Sequence, residues 1–202
     1  MTVLSNETDL RGCYAAPYDL VRKKKLARLD KHARAFIALS PFVVLASCGP
    51  EGADASPRGD APGFVHVEDD ATLLLPDRRG NNLIDSLRNI THNPAVGLLF
   101  MVPGINETLR VNGQARIVAD AARLAPMAVQ GKAPASALEI AVREVFFHCG
   151  KALIRSQLWN AERQVPRTAF PSLGKVLADQ IAGVDAAAAD ANLQESYRSR
   201  LY

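Results

Sequence analysis

The chain of 202 residues is short of several features that would fix a function class on their own. It has three cysteines, Cys13, Cys48 and Cys149, far apart and without a Cys-x-x-Cys pair. That excludes a disulfide framework and a structural zinc ribbon, and favours free thiols in a reducing compartment. Charge of one sign is also lacking: 24 Lys and Arg stand against 21 Asp and Glu, a net of +3. A dedicated nucleic-acid binder would carry a one-sided field, so any anion site here must be local. No stretch approaches the ~18 consecutive apolar residues of a membrane span. The first ten residues have neither a basic start nor an apolar core, so the expectation is a cytoplasmic protein with no membrane partner.

Catalytic signatures are equally sparse. No nucleophile sits in a Gly-x-Ser-x-Gly turn. His32, His66, His92 and His148 are not spaced with carboxylates or cysteines as a ligand set, so no metal is expected. Gly150-Lys151 lacks the rest of a phosphate-binding P-loop, with Val at 145 and Ala at 152. No catalytic residue can be named.

What is present is 48% hydrophobic residues, enough for one well-buried domain spanning 1–202. Residues 19–39 read as one amphipathic helix whose cationic face carries Arg22, Lys23, Lys24 and Lys25, stopped at Ser40-Pro41. From Phe42 onward the period shortens to that of strands. Strands are expected at 42–47, 53–58, 63–67, 72–76, 95–102 and 108–117, five or six short strands that suggest an antiparallel barrel, with one more at 138–143. Helices are expected at 82–89, capped by Asn81 or Asn82, at 150–158, and in the C-terminal 172–202.

One stretch is chemically pointed. Leu73-Leu74-Leu75-Pro76-Asp77-Arg78-Arg79-Gly80-Asn81-Asn82 runs a buried strand into a basic turn that opens a helix, a place suited to a phosphate. Upstream, Pro57-Arg58-Gly59 puts an arginine and a glycine in a strand, where glycine often marks a close approach. Downstream, Lys151 and Arg155 are four residues apart on one helix face, and Trp159 is expected on the same side one turn later. Cationic groups plus the single tryptophan suit a ligand that joins phosphate to a flat aromatic ring.

At these residues the chain resembles the pyridoxamine-phosphate-oxidase-like family of FMN-binding split-barrel proteins, over about Ala35 to Leu177. The carrying segments are Ser56–Asp60, Leu75–Asn82, Asp85–Asn89, Pro103–Gly113 and Phe147–Ser156. The resemblance implies a mainly β chain with flanking helices, a six-stranded antiparallel split β-barrel, and an obligate homodimer with FMN at the interface. It implies that Pro57, Arg58 and Gly59 line the flavin ring, and that Asp77, Arg78, Arg79, Asn81 and Asn82 form the phosphate turn. Thr108 and Arg110 would lie on the strand facing the cofactor, with Lys151, Arg155, Ser156 and Trp159 completing the pocket from the same or the partner subunit. The activity implied is FMN-dependent oxidoreduction, passing hydride between a reduced nicotinamide or other small donor and a small substrate. The alternative is flavin or haem binding without turnover, and a weaker one is nucleic-acid binding through Arg22 to Lys25. Pyridoxamine phosphate oxidases end in an Arg-Leu-x-Pro motif, whereas this sequence ends Arg198-Ser199-Arg200-Leu201-Tyr202. Arg123-Leu124-Ala125-Pro126 spells the letters in mid-chain only.

Overall fold

The computed structural model describes residues 3–202. Seven strands form one sheet: β1 (Phe42–Gly49), β2 (Gly52–Gly59), β3 (His66–Val67), β4 (Thr72–Pro76), β5 (Ala95–Met101), β6 (Thr108–Val118) and β7 (Ala137–His148). Their order is β2-β1-β5-β6-β7-β4-β3, and every neighbouring pair is antiparallel. The count is seven rather than six because the two-residue β3 pairs with β4 through His66 and Val67.

Alternation builds the core. Along β1, Val43, Leu45 and Ser47 point inward, and Leu98, Phe100, Leu109, Val111 and Ile140 meet them from the central strands. A helix, α3 (Lys31–Leu39), closes the inside by burying Ala33, Phe36 and Ile37, with Asp30 capping it through the Ala33 amide at 2.8 Å. The helix α4 (Asp85–His92) connects β4 to β5 and leans on β1 and β2.

The single helix expected over 19–39 is two. Before α3 come α1 (Glu7–Cys13), which the sequence pattern did not suggest, and α2 (Asp19–Lys23). Between α2 and α3 the backbone leaves the helix to pair with the sheet: Leu26 and Val145 exchange both backbone hydrogen bonds, at 2.8 and 2.9 Å, and the Leu29 amide donates to the Asp70 carbonyl at 2.7 Å. The cationic face is partly consumed there, since Lys24 donates to the Phe147 carbonyl and Lys25 pairs with Glu144.

β7 is twice as long as expected, twelve residues instead of six, and the reason is a bulge. Asn112 pairs with Glu144 but Gly113 with Val142, leaving Arg143 unpaired. One extra residue flips the inward parity from Leu138, Ile140 and Val142 to Val145, so the period-two pattern breaks in the sequence while the strand continues. Gly113 is required at this point, because a Cβ there would lie 2.4 Å from the Ala141 carbonyl oxygen. Gly113→Ala is expected to cost about 1–3 kcal/mol by overpacking, read as a lower urea midpoint at unchanged slope.

Beyond β6 come α5 (Ala121–Leu124), a 3-10 turn at Ala125–Met127, and after β7 the helices α6 (Lys151–Ser156), α7 (Leu173–Gln180) and α8 (Ala186–Ser199). Arg123 of the mid-chain Arg-Leu-Ala-Pro tetrapeptide is held by Glu68 and Glu139 in two structural ion pairs. Among residues 151–202 only Gly174 is buried. Among the described residues no helix is long and apolar enough to cross a membrane.

Candidate functional site

The basic turn opens where the two sides of the curled sheet meet. β2 is one edge and β4 lies next to the other edge, yet their ends are joined by side chains. Arg58 of β2 pairs with Asp77 at 2.6 Å, and Arg78 pairs through Nε with Asp60 at 2.6 Å. These two ion pairs bridge the split in the barrel. The second is the more enclosed, with the Asp60 side chain only 2% exposed. Burial by itself would raise the Asp60 carboxyl, but hydrogen bonds from the Tyr202 phenol, the Ala61 amide and Arg78 outweigh it and hold the group below its ordinary range. Arg78 also donates to the Met127 carbonyl at 2.8 Å and lies 5.7 Å over the Tyr202 ring.

Beside this bridge is a cleft of about 590 Å³. Pro57, Arg58, Asp77, Arg78, Arg79, Asn81 and Asn82 line it, together with the residues Leu83 to Leu87, Lys132 to Ala135 and Tyr202. Gly59 closes β2 just outside it, paired with Phe42. The turn is tightly wound: Leu83 donates its amide to the Asn81 side chain at 3.0 Å, and Asn82 and Ile84 both have positive φ, 61° and 54°. For a β-branched residue that is a strained conformation. It also moves the helix start. α4 begins at Asp85 with Ile84 before it and no side-chain cap, so Asn81 organises the turn and neither asparagine caps the helix as expected.

The cations of the cleft are not equivalent. Arg78 is committed to Asp60 and Met127. Arg79 is exposed, lines the cleft and has no carboxylate partner among the described residues. Arg58 keeps one partner, Asp77, but its buried Nε has none among the described residues. A buried donor left unpaired in the wall of a cleft is a place where an acceptor on a ligand gains a full hydrogen bond. The carboxylates of the cleft are all engaged: Asp54 accepts from Ser86 at 3.1 Å, Asp77 holds Arg58, and Asp85 holds Arg88.

The remaining expected residues lie elsewhere in the chain. Pro76 beside the cleft pairs with Ala137, whereas Thr108 pairs with His148 at the far end of the twelve-residue strand β7. That is on the order of 35 Å along a straight strand. Thr108 is buried, and Arg110 is exposed on the same face, 5.5 Å from the Phe146 ring. Lys151, Arg155 and Ser156 belong to α6, which ends at Ser156 with Gln157 in the left-handed region. Trp159 is therefore outside the helix and not on its Lys151/Arg155 face, contrary to the spacing argument. Its indole donates to the Ile105 carbonyl at 2.9 Å, beside the start of β6. Near this group His148 is held below its ordinary range by burial and by Arg110 and Lys24, and its Nε2 has no partner among the described residues.

The cleft and this second cluster are thus not brought together within one chain. The sequence reading missed Lys132 and Tyr202 as wall residues, and Asp60 as the partner that holds Arg78 beside the cleft. Asp60 sat within a segment singled out for other reasons, but Tyr202 carried no signal at all. Among the described residues no group of three or more His, Cys, Asp or Glu side chains could hold a metal ion.

An antiparallel split barrel with a cation-lined cleft at its seam is the class of fold these elements define. The sequence model of the family described as pyridoxamine 5'-phosphate oxidase matches residues 29–149, and the chain belongs to that family. No curated protein matches. Solved structures with a similar fold include HupZ of Group A Streptococcus, 16% identical, covering 59% of this chain and 93% of that one with a TM-score of 0.48. An FMN-binding protein from Syntrophomonas wolfei is 10% identical over 58% and 84%, with a TM-score of 0.46. A protein from Clostridium acetobutylicum, related to general stress protein 26 of the pyridoxinephosphate oxidase family, is 14% identical over 58% and 85%, with a TM-score of 0.43. Family membership rests on the match over 29–149 and not on these distant likenesses.

Proposed function

We propose that the protein binds FMN in the cleft at the barrel seam and acts as an FMN-dependent oxidoreductase on a small substrate. The observation that carries this reading is the pairing, in one cleft of the family-matched segment, of a free Arg79 with an unsatisfied buried Arg58 Nε. Arg79 would hold the dianionic phosphate by charge-assisted hydrogen bonds. Arg58 Nε would donate to an acceptor at the edge of the ring system, and Pro57, Ala55 and Leu83 would supply apolar surface. Bound flavin would contribute hydride transfer, and the chain would contribute orientation and charge. Because Thr108, Arg110, Lys151, Arg155, Ser156 and Trp159 lie far from their own cleft, their part in the site requires a second copy, and a homodimer belongs to the proposal.

A second reading, flavin binding without turnover, is favoured by one specific observation: every carboxylate lining the cleft is already hydrogen-bonded or ion-paired, leaving none of the three free to act as general acid or base. The visible spectrum of the purified protein tests the cofactor. Absorbance of bound flavin, present on purification or gained with added FMN, is expected; a colourless protein that takes up none, or a haem spectrum, would refute it. Anaerobic mixing with reduced nicotinamide separates the two readings, since bleaching of the flavin is expected only of the oxidoreductase.

A further inference from the structure

The last residues of the chain touch the seam at three points. The Tyr202 phenol donates to Asp60 at 2.8 Å, Lys132 donates to the Tyr202 backbone carbonyl at 3.1 Å, and the Arg78 guanidinium lies over the Tyr202 ring. Asp60 follows β2, Arg78 follows β4 and Lys132 precedes β7, so one residue, through its phenol, ring and backbone carbonyl, ties together the elements that frame the cleft. Tyr202 itself lines the cleft.

The rest of the arm that delivers it is loosely attached. α7 and α8 pack on each other, with the Gly174 amide donating to Asp190 at 2.8 Å. α8 buries no residue, and Ile181, Tyr197 and Leu201 are exposed. An arm with so little buried surface of its own is held at low free-energy cost of opening, and its contacts at the seam are correspondingly decisive. Lys132 and Arg78, two of the four cations of the cleft wall, both contact Tyr202.

We infer that residues 200–202 form a strap that supplies one wall of the ligand cleft through Tyr202, so that docking of the C-terminal arm and binding of an anionic, ring-bearing ligand strengthen one another. The inference rests on the FMN reading of the cleft. Linkage makes the effect reciprocal: the factor by which the docked strap tightens the ligand is the factor by which the ligand tightens the strap.

Two readouts test this on the full-length protein. The first is trypsin cleavage after the exposed Arg200, followed by intact mass, with and without saturating FMN. FMN is expected to slow the loss of Leu201–Tyr202 by about three- to tenfold, the scale of one aromatic wall contact. The second is FMN affinity by fluorescence titration of Tyr202→Ala and Tyr202→Phe, with unliganded melting curves to verify folding. Tyr202→Ala is expected to weaken FMN by that same factor, and Tyr202→Phe, which keeps the ring and loses only the bond to Asp60, by less. Unchanged or tighter FMN binding in Tyr202→Ala, or cleavage that FMN leaves alone or accelerates, overturns the strap. If the wild-type protein takes up no FMN, the FMN reading falls and the strap with it; if the wild type binds and Tyr202→Ala binds equally, only the strap falls.

Discussion

Arg79→Ala is expected to weaken FMN by about 10- to 100-fold, the loss of a charge-assisted phosphate contact, while riboflavin affinity stays within about twofold. The reasoning separates two neighbouring arginines that are indistinguishable in the sequence. Arg78 spends its Nε on the enclosed Asp60 and another donor on Met127. Pulling it toward a phosphate would strand the Asp60 carboxylate, which is costly in a place with 2% side-chain exposure. Arg79 is exposed and has no competing carboxylate among the described residues. Isothermal titration with the two ligands decides the matter: equal losses for FMN and riboflavin would remove Arg79 from the phosphate.

Asp60→Ala is expected to destabilise the protein by about 2–3 kcal/mol, because Arg78, mostly enclosed, loses its counter-charge and Tyr202 its acceptor. For a chain of this length that corresponds to a fall in Tm of roughly 5–10 °C. Replacing both partners, as Asp60→Leu with Arg78→Met, is expected to recover much of the loss, since it strands no charge. The pH dependence has a definite sign. The folded Asp60 lies below its ordinary value of 3.8, so the unfolded chain binds the proton more readily. Its contribution is complete above that ordinary value and fades as the pH falls through the folded one. The melting-temperature gap between wild type and Asp60→Ala should therefore be constant near neutrality and narrow in acid below about pH 4. A gap that widened in acid would contradict the assignment.

Much of the architecture was legible because it is written in short-range patterns. The strand over 42–47 and the basic stretch after β4 each follow from neighbouring residues. Where the reading failed, a distant partner or a side-chain hydrogen bond within the turn had overridden the local pattern. The helix over 19–39 was broken because Leu26 finds hydrogen bonds on Val145. β7 was cut short because the bulge opposite Gly113 reverses its parity. The start of α4 was misplaced because Asn81 folds its side chain onto the Leu83 amide and tightens the turn. Trp159 left the Lys151/Arg155 face because α6 stops at Ser156 and the indole reaches the Ile105 carbonyl.

By itself, then, the sequence determined a mainly β chain, a basic turn at the end of a buried strand, and the candidate cations Arg58, Arg78 and Arg79. Those follow from residue type and spacing, which act over a few positions. Only the tertiary structure decided which cation is free, because that depends on Asp60 and Asp77 arriving from other strands. It alone set the cleft apart from the Thr108 and Trp159 cluster, through the length of β7, and brought Tyr202 onto the seam across 142 residues of chain. Ion pairing and enclosure depend on distance in space, and composition and periodicity carry no record of it.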